Sequence, residues 1–319
     1  MSLISIVIPC FNEEEVIYET HLRLEKFLIT IDMDKEIIYV DDGSRDSTYE
    51  KLLQLAKMHH DIRIIRFSRN FGHQMAITAG MDYASGDAIV VIDADLQDPV
   101  EIISEMVDKW KNGFDVVYGK RVRREGESQF KRISAKIFYR ILFKLTDEVI
   151  PKDIGDFRLI DRKVADSLKQ MPEKTRYVRG LVAWLGYNST SVDYVREPRF
   201  AGETKYPLVK MLKLAFDGII SFSYKPLKLA SFLGSTVSVA SFIYLVYIIF
   251  RKYYSNDSIS GWTSLMAVLL VMSGMILLVL GIIGEYLARV YEEVKARPTY
   301  VINSIVGFSD NNFFDNHKK

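Results

Sequence analysis

Asp93, Asp95, Gln97 and Asp98 crowd the positions just behind an apolar run, Ile89-Val90-Val91-Ile92, and Pro99 closes the stretch. The run, rich in β-branched residues, reads as a buried strand, and carboxylates set this close repel one another unless a cation is shared between them. In extended backbone, side chains at i and i+2 point the same way, so Asp93 and Asp95 can face one hard cation such as Mg2+ or Mn2+. Gln97 adds a neutral oxygen in the same alternation. Such ions take one or two protein carboxylates and complete their shell with water and substrate phosphates. A lone D-x-D also occurs as a solvated acidic turn. A second acidic pair behind an apolar run, Asp41-Asp42 in VDDGS, favours the metal reading.

The elements that would position these residues are legible as alternating patterns. LISIVIP, EIIYVDD, IRIIRFS, DAIVVIDAD and DVVYG are short, Ile/Val-rich runs of the kind covered on both faces. Helical patterns separate them: EEEVIYETHLRLEKFL, DSTYEKLLQLAKMH, GHQMAITAGMDYAS and PVEIISEMVDKWKNG. The alternation predicts an α/β domain over residues 1–200 with a Rossmann-like, mostly parallel sheet. Ligands of such sheets bind beyond the carboxyl ends of the strands. Those ends read PCFNEEE, DDGS, RFSRNFGH, DADLQDP and GKR, which delivers carboxylates, amides, arginines and glycines to one edge.

Composition narrows the class. With 42 basic and 41 acidic residues in 319, the chain lacks the basic excess of a protein that neutralises nucleic-acid phosphates. The single cysteine, Cys10, excludes an internal disulfide and a cysteine-based zinc site, and its apolar surroundings predict a buried thiol. Residues 229–250 and 262–284 carry no charge, and each is long enough to cross a hydrocarbon core of about 30 Å. Tyr253, Tyr254 and Trp262 lie near the outer ends of these spans. Lys225, Lys228, Arg289, Lys295 and Arg297 flank the inner ends. The start, MSLISIVIPCFNEEE, has no basic lead before its apolar stretch and reads as a strand rather than an export signal. These features predict a multi-pass protein of the cell membrane with a cytosolic head. Residues 201–228 form a juxtamembrane region in which Leu208, Met211, Leu212, Ala215 and Phe216 make the apolar stripe of an interfacial helix. Residues 285–319 follow as a cytosolic tail, whose EYLARVYEEVKARP stretch could pair protomers into a homo-oligomer. No ionisable residue sits at the centre of either span, so transport is unsupported.

IPCFNEEE, VDDGSRDST, RNFGHQMAITAG, GDAIVVIDADLQDPVE and GKR resemble the family 2 glycosyltransferases of the GT-A fold. DIGDFRLIDRKV, RYVRGLVAWLGY, the 199–227 segment and the two spans resemble, within that family, the bacterial polyprenyl-phosphate glycosyltransferases, similar to dolichol-phosphate mannose synthase. The resemblance implies inverting transfer of a monosaccharide from a nucleotide-sugar donor to a polyprenyl phosphate. UDP-glucose leads as donor; UDP-N-acetylglucosamine, UDP-galactose and 4-amino-arabinose donors stay open. It also assigns roles. Pro9, Phe11, Glu13 and Asp42 form the nucleotide wall, although Pro9 and Phe11 also suit a strand end and Glu13 a helix start. Asp93, Asp95 and Gln97 hold the sugar nucleotide through Mg2+ or Mn2+. Arg121, Arg132 and Ser134 receive the acceptor phosphate, whose oxygens are already ionised near neutral pH. Asp156 occupies the place of a proposed base or, because such a nucleophile needs little deprotonation, orients the acceptor or Arg158. His73 suits either donor contact or helix packing, and His59 and His60 read as a helix end.

Two rival readings are weaker. A processive polysaccharide synthase shares the head but carries a Q-x-x-R-W signature and a larger membrane domain, neither of which is present. A silent sugar-nucleotide-binding scaffold would not need the acids and arginines retained here.

Overall fold

A computed structural model of the chain describes residues 2–123, 154–174, 176–196, 225–255 and 261–308. These residues fall into two compact units, residues 2–196 with 298–308 in the first and residues 225–297 in the second.

The first unit is an α/β domain. Its strands are β1 (Leu3–Cys10), β2 (Asp34–Asp41), β3 (Ile62–Phe67), β4 (Ala88–Val91), β5 (Val116–Arg123), β6 (Ile154–Asp161), β7 (Ser189–Val195) and β8 (Ile302–Val306). They form one sheet in the order β7-β5-β6-β4-β1-β2-β3-β8. Pairings β1–β2, β1–β4, β2–β3 and β5–β7 are parallel, whereas β4–β6, β5–β6 and β3–β8 are antiparallel. The helices are α1 (Ile17–Leu28), α2 (Thr48–Met58), α3 (His73–Tyr83), α4 (Ile102–Lys111), α5 (Arg162–Gln170) and α6 (Val178–Trp184). Central β1 is buried from Ile4 to Cys10 and all of β4 is buried, as continuous aliphatic runs covered on both faces require. Ile6, Ile8, Leu24, Ile37, Leu52, Val90, Ile103 and Leu159 meet in the core, and the Cys10 thiol is buried beside them.

The antiparallel β6 decides what reaches the ligand edge. The parallel strands β1 to β4 end there, and β6 begins there. Ala88 pairs with Asp161 and Val91 with Arg158, one residue up for each residue down. Just beyond this pairing, Asp93 and Asp156 both lie within 3.5 Å of His73 Nε2.

Residues 285–319 do not form a tail throughout. Ile302–Val306 adds an antiparallel edge strand to β3. Tyr300 stacks on Phe67 with centroids 5.1 Å apart and donates its hydroxyl to Asp82 at 3.0 Å, and Tyr49 and Ser304 hydroxyls meet at 2.9 Å. An open strand edge with unpaired N–H and C=O groups is thereby closed by the chain itself.

The second unit is a pair of helices, α7 (Lys225–Ser255) and α8 (Trp262–Val294). Both are long and apolar enough to cross a membrane, and only 6% and 0% of their most apolar segments are buried. Phe232, Phe242, Leu245, Leu270, Val271 and Leu277 are among the large side chains left exposed, which water would not tolerate over such a length. The helices outrun the expected spans: α8 continues past Gly284 through Glu285, Arg289 and Glu292, an amphiphilic extension with i,i+4 and i,i+3 ion pairs. The expected interfacial segment, 201–228, lies outside the described residues up to 224, and its last four residues begin α7.

Candidate active site

The ends of β1 and β2 are zipped together by hydrogen bonds. The Asn12 N–H donates to Ser44 Oγ at 3.0 Å, Arg45 N–H to Asn12 Oδ1 at 2.9 Å and Glu13 N–H to Thr48 Oγ1 at 2.8 Å. This fixes the expected nucleotide wall: Pro9 is buried opposite Val40, while Phe11 and Glu13 are half-buried beyond it. Asp42 is turned to a different task. Its carboxylate accepts from Phe71 N–H at 2.6 Å, Gly72 N–H at 2.9 Å and Asn70 Nδ2 at 2.9 Å, so it staples the RNFG loop. Gly43, at φ +67°, makes the close approach possible, because a Cβ there would lie 2.5 Å from the carbonyl carbon of Arg69.

The acidic stretch after β4 is not extended, contrary to the geometry expected for it. The strand stops at Val91, and the chain turns with Leu96 at φ +57° while Gln97 N–H donates to Asp95 Oδ1 at 3.2 Å. The alternation survives the turn. Asp93, Asp95 and Gln97 are half-buried, whereas Ala94, Leu96 and Asp98 are buried. Asp93 Oδ1 is buried without a hydrogen-bond partner. Burial pushes the Asp93 carboxyl up to about 6; His73 opposes the shift, and Asp98, Asp156 and Asp95 add to it. Two carboxylates and an amide oxygen, one carboxylate oxygen of them buried and unsatisfied, suit a hard divalent cation.

Cations surround this acidic turn. The Arg196 guanidinium, just past β7, lies 4.0 Å from Asp93, 3.7 Å from Asp95 and 3.7 Å from Asp98. Tyr194 donates its hydroxyl to Asp98 at 2.6 Å and accepts from Arg121 Nε at 3.0 Å. Arg121, near the end of β5, is thus held by Tyr194 and by Asp98, 3.8 Å away. Gly155 leaves room for it: a Cβ at Gly155 would fall 2.5 Å from an Arg121 guanidinium nitrogen.

Asp156 is locked in a cage of donors. Arg179, on α6, grips it with both prongs, Nε to Oδ1 at 2.9 Å and a terminal nitrogen to Oδ2 at 2.6 Å. Arg158, fully buried, donates to Oδ1 at 3.1 Å, and Gln74 Nε2 reaches it at 3.4 Å. His73 Nε2 stands 3.4 Å from Asp156 and 3.5 Å from Asp93, bridging the two acids. Burial alone would raise the Asp156 carboxyl, but Arg179, then His73 and Arg158, hold it well below the usual carboxylate range. His73 is raised to about 8: burial works against its charge, and Asp156 and Asp93 outweigh burial.

The structure therefore brings Asp93, Asp95, Gln97, Arg121 and Asp156 together at one sheet edge. Arg132 and Ser134 lie outside the described residues. Arg179, Arg196 and Tyr194 join the constellation without having been singled out in the sequence, and Asp98, noted there only as part of the acidic crowd, holds Tyr194 and Arg121. RYVRG and DADLQDP contain two of them, but nothing in the local pattern marks which arginine or acid turns inward.

Residues 5–169 match the family described as glycosyl transferase family 2, and residues 225–290 match the GtrB C-terminal hairpin. The chain is 52% identical over 314 residues to the uncharacterised glycosyltransferase YkcC of Bacillus subtilis, covering 98% of this chain and 97% of that one. It is 38% identical over 302 residues to the prophage bactoprenol glucosyl transferase homolog of Escherichia coli, covering 95% and 99%. Among solved structures, glucosyl-3-phosphoglycerate synthase from Mycobacterium tuberculosis, crystallised with Mn2+, UDP-glucose and phosphoglyceric acid, is similar at TM-score 0.50. That likeness, at 21% identity over 69% of this chain and 78% of that one, is one of fold. The sheet, its acidic turn and these matches agree: the chain belongs to glycosyl transferase family 2.

Proposed function

We propose that the protein transfers a monosaccharide, with UDP-glucose as leading donor, to a polyprenyl phosphate, with inversion at the anomeric carbon. The observation that carries this reading is the juxtaposition of two kinds of charge: the crowded carboxylates Asp93 and Asp95 beside the oriented cations Arg121 and Arg179. The near full-length relatives named bactoprenol glucosyl transferase supply the lipid acceptor and the sugar. Asp93, Asp95 and Gln97 would hold Mg2+ or Mn2+, which when bound supplies Lewis-acid neutralisation of the departing diphosphate. Arg121, whose planar fork suits phosphate oxygens, sets one acceptor oxygen toward the anomeric carbon. That oxygen forms the new C–O bond as the bond to the diphosphate breaks, and the nucleoside diphosphate leaves with the electron pair. The acceptor oxygen carries no proton near neutral pH, and every strong lone pair on Asp156 already faces a donor. Asp156 accordingly positions Arg179 and His73 instead of taking a proton. The expected Arg132 and Ser134 contacts complete the acceptor-phosphate site.

The same reading places the head on the cytosolic side, where nucleotide sugars are made. β7 precedes the helical pair and β8 follows it, yet both belong to one sheet. The chain between them must cross a membrane an even number of times, and two helices meet that condition.

The test uses the full chain in detergent with undecaprenyl phosphate, Mg2+ or Mn2+ and a panel of labelled sugar nucleotides. Metal-dependent label in a monosaccharyl lipid, abolished by Asp95→Ala, supports the proposal. Label in a polymer, or none with any donor, overturns it. Asp156→Asn and Arg179→Lys separate the two roles of Asp156. Similar losses of about 10–100-fold in both fit a positioning residue, whereas a loss confined to Asp156→Asn fits a base.

A further inference from the structure

A second set of metal-type donors lies where α1 meets the end of α2. His21 and Glu25 stand one turn apart on α1 and so share a face, and His59 caps the C-terminus of α2. This is the opposite end of α2 from the Thr48 contact that fixes Glu13, about 16 Å away at 1.5 Å per residue. The three potential ligand atoms lie within 4.8 Å of one another. Glu25 Oε1 is 3.4 Å from His59 Nδ1. Two ligands each ~2.0–2.1 Å from a tetrahedral ion stand about 3.4 Å apart, so this pair is already at coordination spacing.

His21 gives the independent sign. It is 4% exposed, and its Nε2 is buried without a hydrogen-bond partner. Its Nδ1 lies 3.2 Å from the hydroxyl oxygen of Tyr39. Metal-bound imidazoles donate their second N–H to just such an oxygen, which fixes the tautomer and aims the other lone pair at the ion. The His59 ring meets the His21 ring edge-on with centroids 4.7 Å apart, which sets the second imidazole beside the first. Burial, reinforced by His59, moves His21 below its ordinary pKa, so the ring is neutral and able to ligate at pH 7.

We propose that His21, Glu25 and His59 bind a zinc-class divalent cation, with water in the fourth position, and that this ion ties α1 to the end of α2. Two imidazoles and one carboxylate select a borderline ion of this kind over Mg2+, which the all-oxygen set at Asp93 and Asp95 favours. The ion is structural: it crosslinks α1 to the end of α2, and it lies apart from the transferred sugar.

The experiment is a Zn2+ titration of the metal-stripped full chain in detergent, with excess Mg2+ present to saturate the carboxylate site. Wild type is expected to retain one equivalent of Zn2+ and to gain about 5 °C in Tm at a hundredfold excess over Kd. His59→Ala and Glu25→Gln are each expected to lose both effects while keeping the Mg2+-supported transfer rate. Their side chains are 27% and 40% exposed, so the fold does not depend on them. Absence of stoichiometric Zn2+ in wild type overturns the proposal. So does Zn2+ retained by both variants, which would put the ion elsewhere.

Discussion

Asp42 and Asp93 follow β2 and β4, the two parallel strands that flank β1, and in the sequence both look like acids offered to a ligand. The structure treats them in opposite ways. Asp42 accepts three N–H groups from a single loop, and its charge is spent inside the protein. Asp93 keeps one oxygen buried without a hydrogen-bond partner, 3.5 Å from His73 and close to Asp95, Asp98 and Asp156. A carboxylate that is satisfied at home organises backbone. One held under repulsion at a sheet edge stores a preference for an incoming cation, at some cost to the stability of the fold.

That contrast can be broken by substitution. Asp93→Ala should lower sugar transfer by about 10³-fold or more, since a Lewis-acid contribution of several kcal/mol is lost. Its Tm should hold or rise, because repulsion is relieved; a large fall in Tm would show that Asp93 is as structural as Asp42. Asp42→Ala should do the reverse, costing roughly 2–4 kcal/mol of stability through three stranded N–H groups. Denaturant unfolding reads that loss, and an unchanged midpoint would show the loop holds without its staple. Gly155→Ala is a finer probe. The new methyl displaces the Arg121 guanidinium, a movable group, so transfer should fall about tenfold with Tm nearly unchanged. Wild-type kinetics would mean that Arg121 does not work from its observed position. The smallest effect is expected far from the acids, at Tyr300→Phe, which removes the bond to Asp82 but keeps the ring on Phe67. A loss of about 1 kcal/mol, read as a small drop in Tm with transfer intact, is the expected outcome.

Most of the sheet was legible because β1 to β5 each contain a short aliphatic core, and helical patterns separate them. β6, β7 and β8 were not. β7, STSVDYV, buries only Val192 and Tyr194, and β8, INSIV, is short and only half-buried, so neither carries the signature of a covered strand. The acidic turn was legible as chemistry but not as geometry, since Leu96 at positive φ is not written in its residue type. The meeting of Asp93 and Asp156 at His73 depends on β6 lying beside β4, and the grip of Arg179 on Asp156 depends on where α6 is placed. Neither has a local signal. The staple made by Asp42 had no local signal for the same reason: two of its three partners are backbone N–H groups, which every sequence possesses.

The last strand gives the head an unusual order of completion during synthesis. β3 leaves the ribosome early, but its edge partner β8 lies about 240 residues later, beyond both hydrophobic helices. At ordinary elongation rates that gap lasts on the order of 10–50 s. During it the nascent domain displays an unsatisfied β-edge while both apolar helices are still being made. Synthesis of the helical pair and closure of the sheet are therefore successive events on one polypeptide. A ribosome stalled after α8 would hold a head still able to recruit a foreign strand.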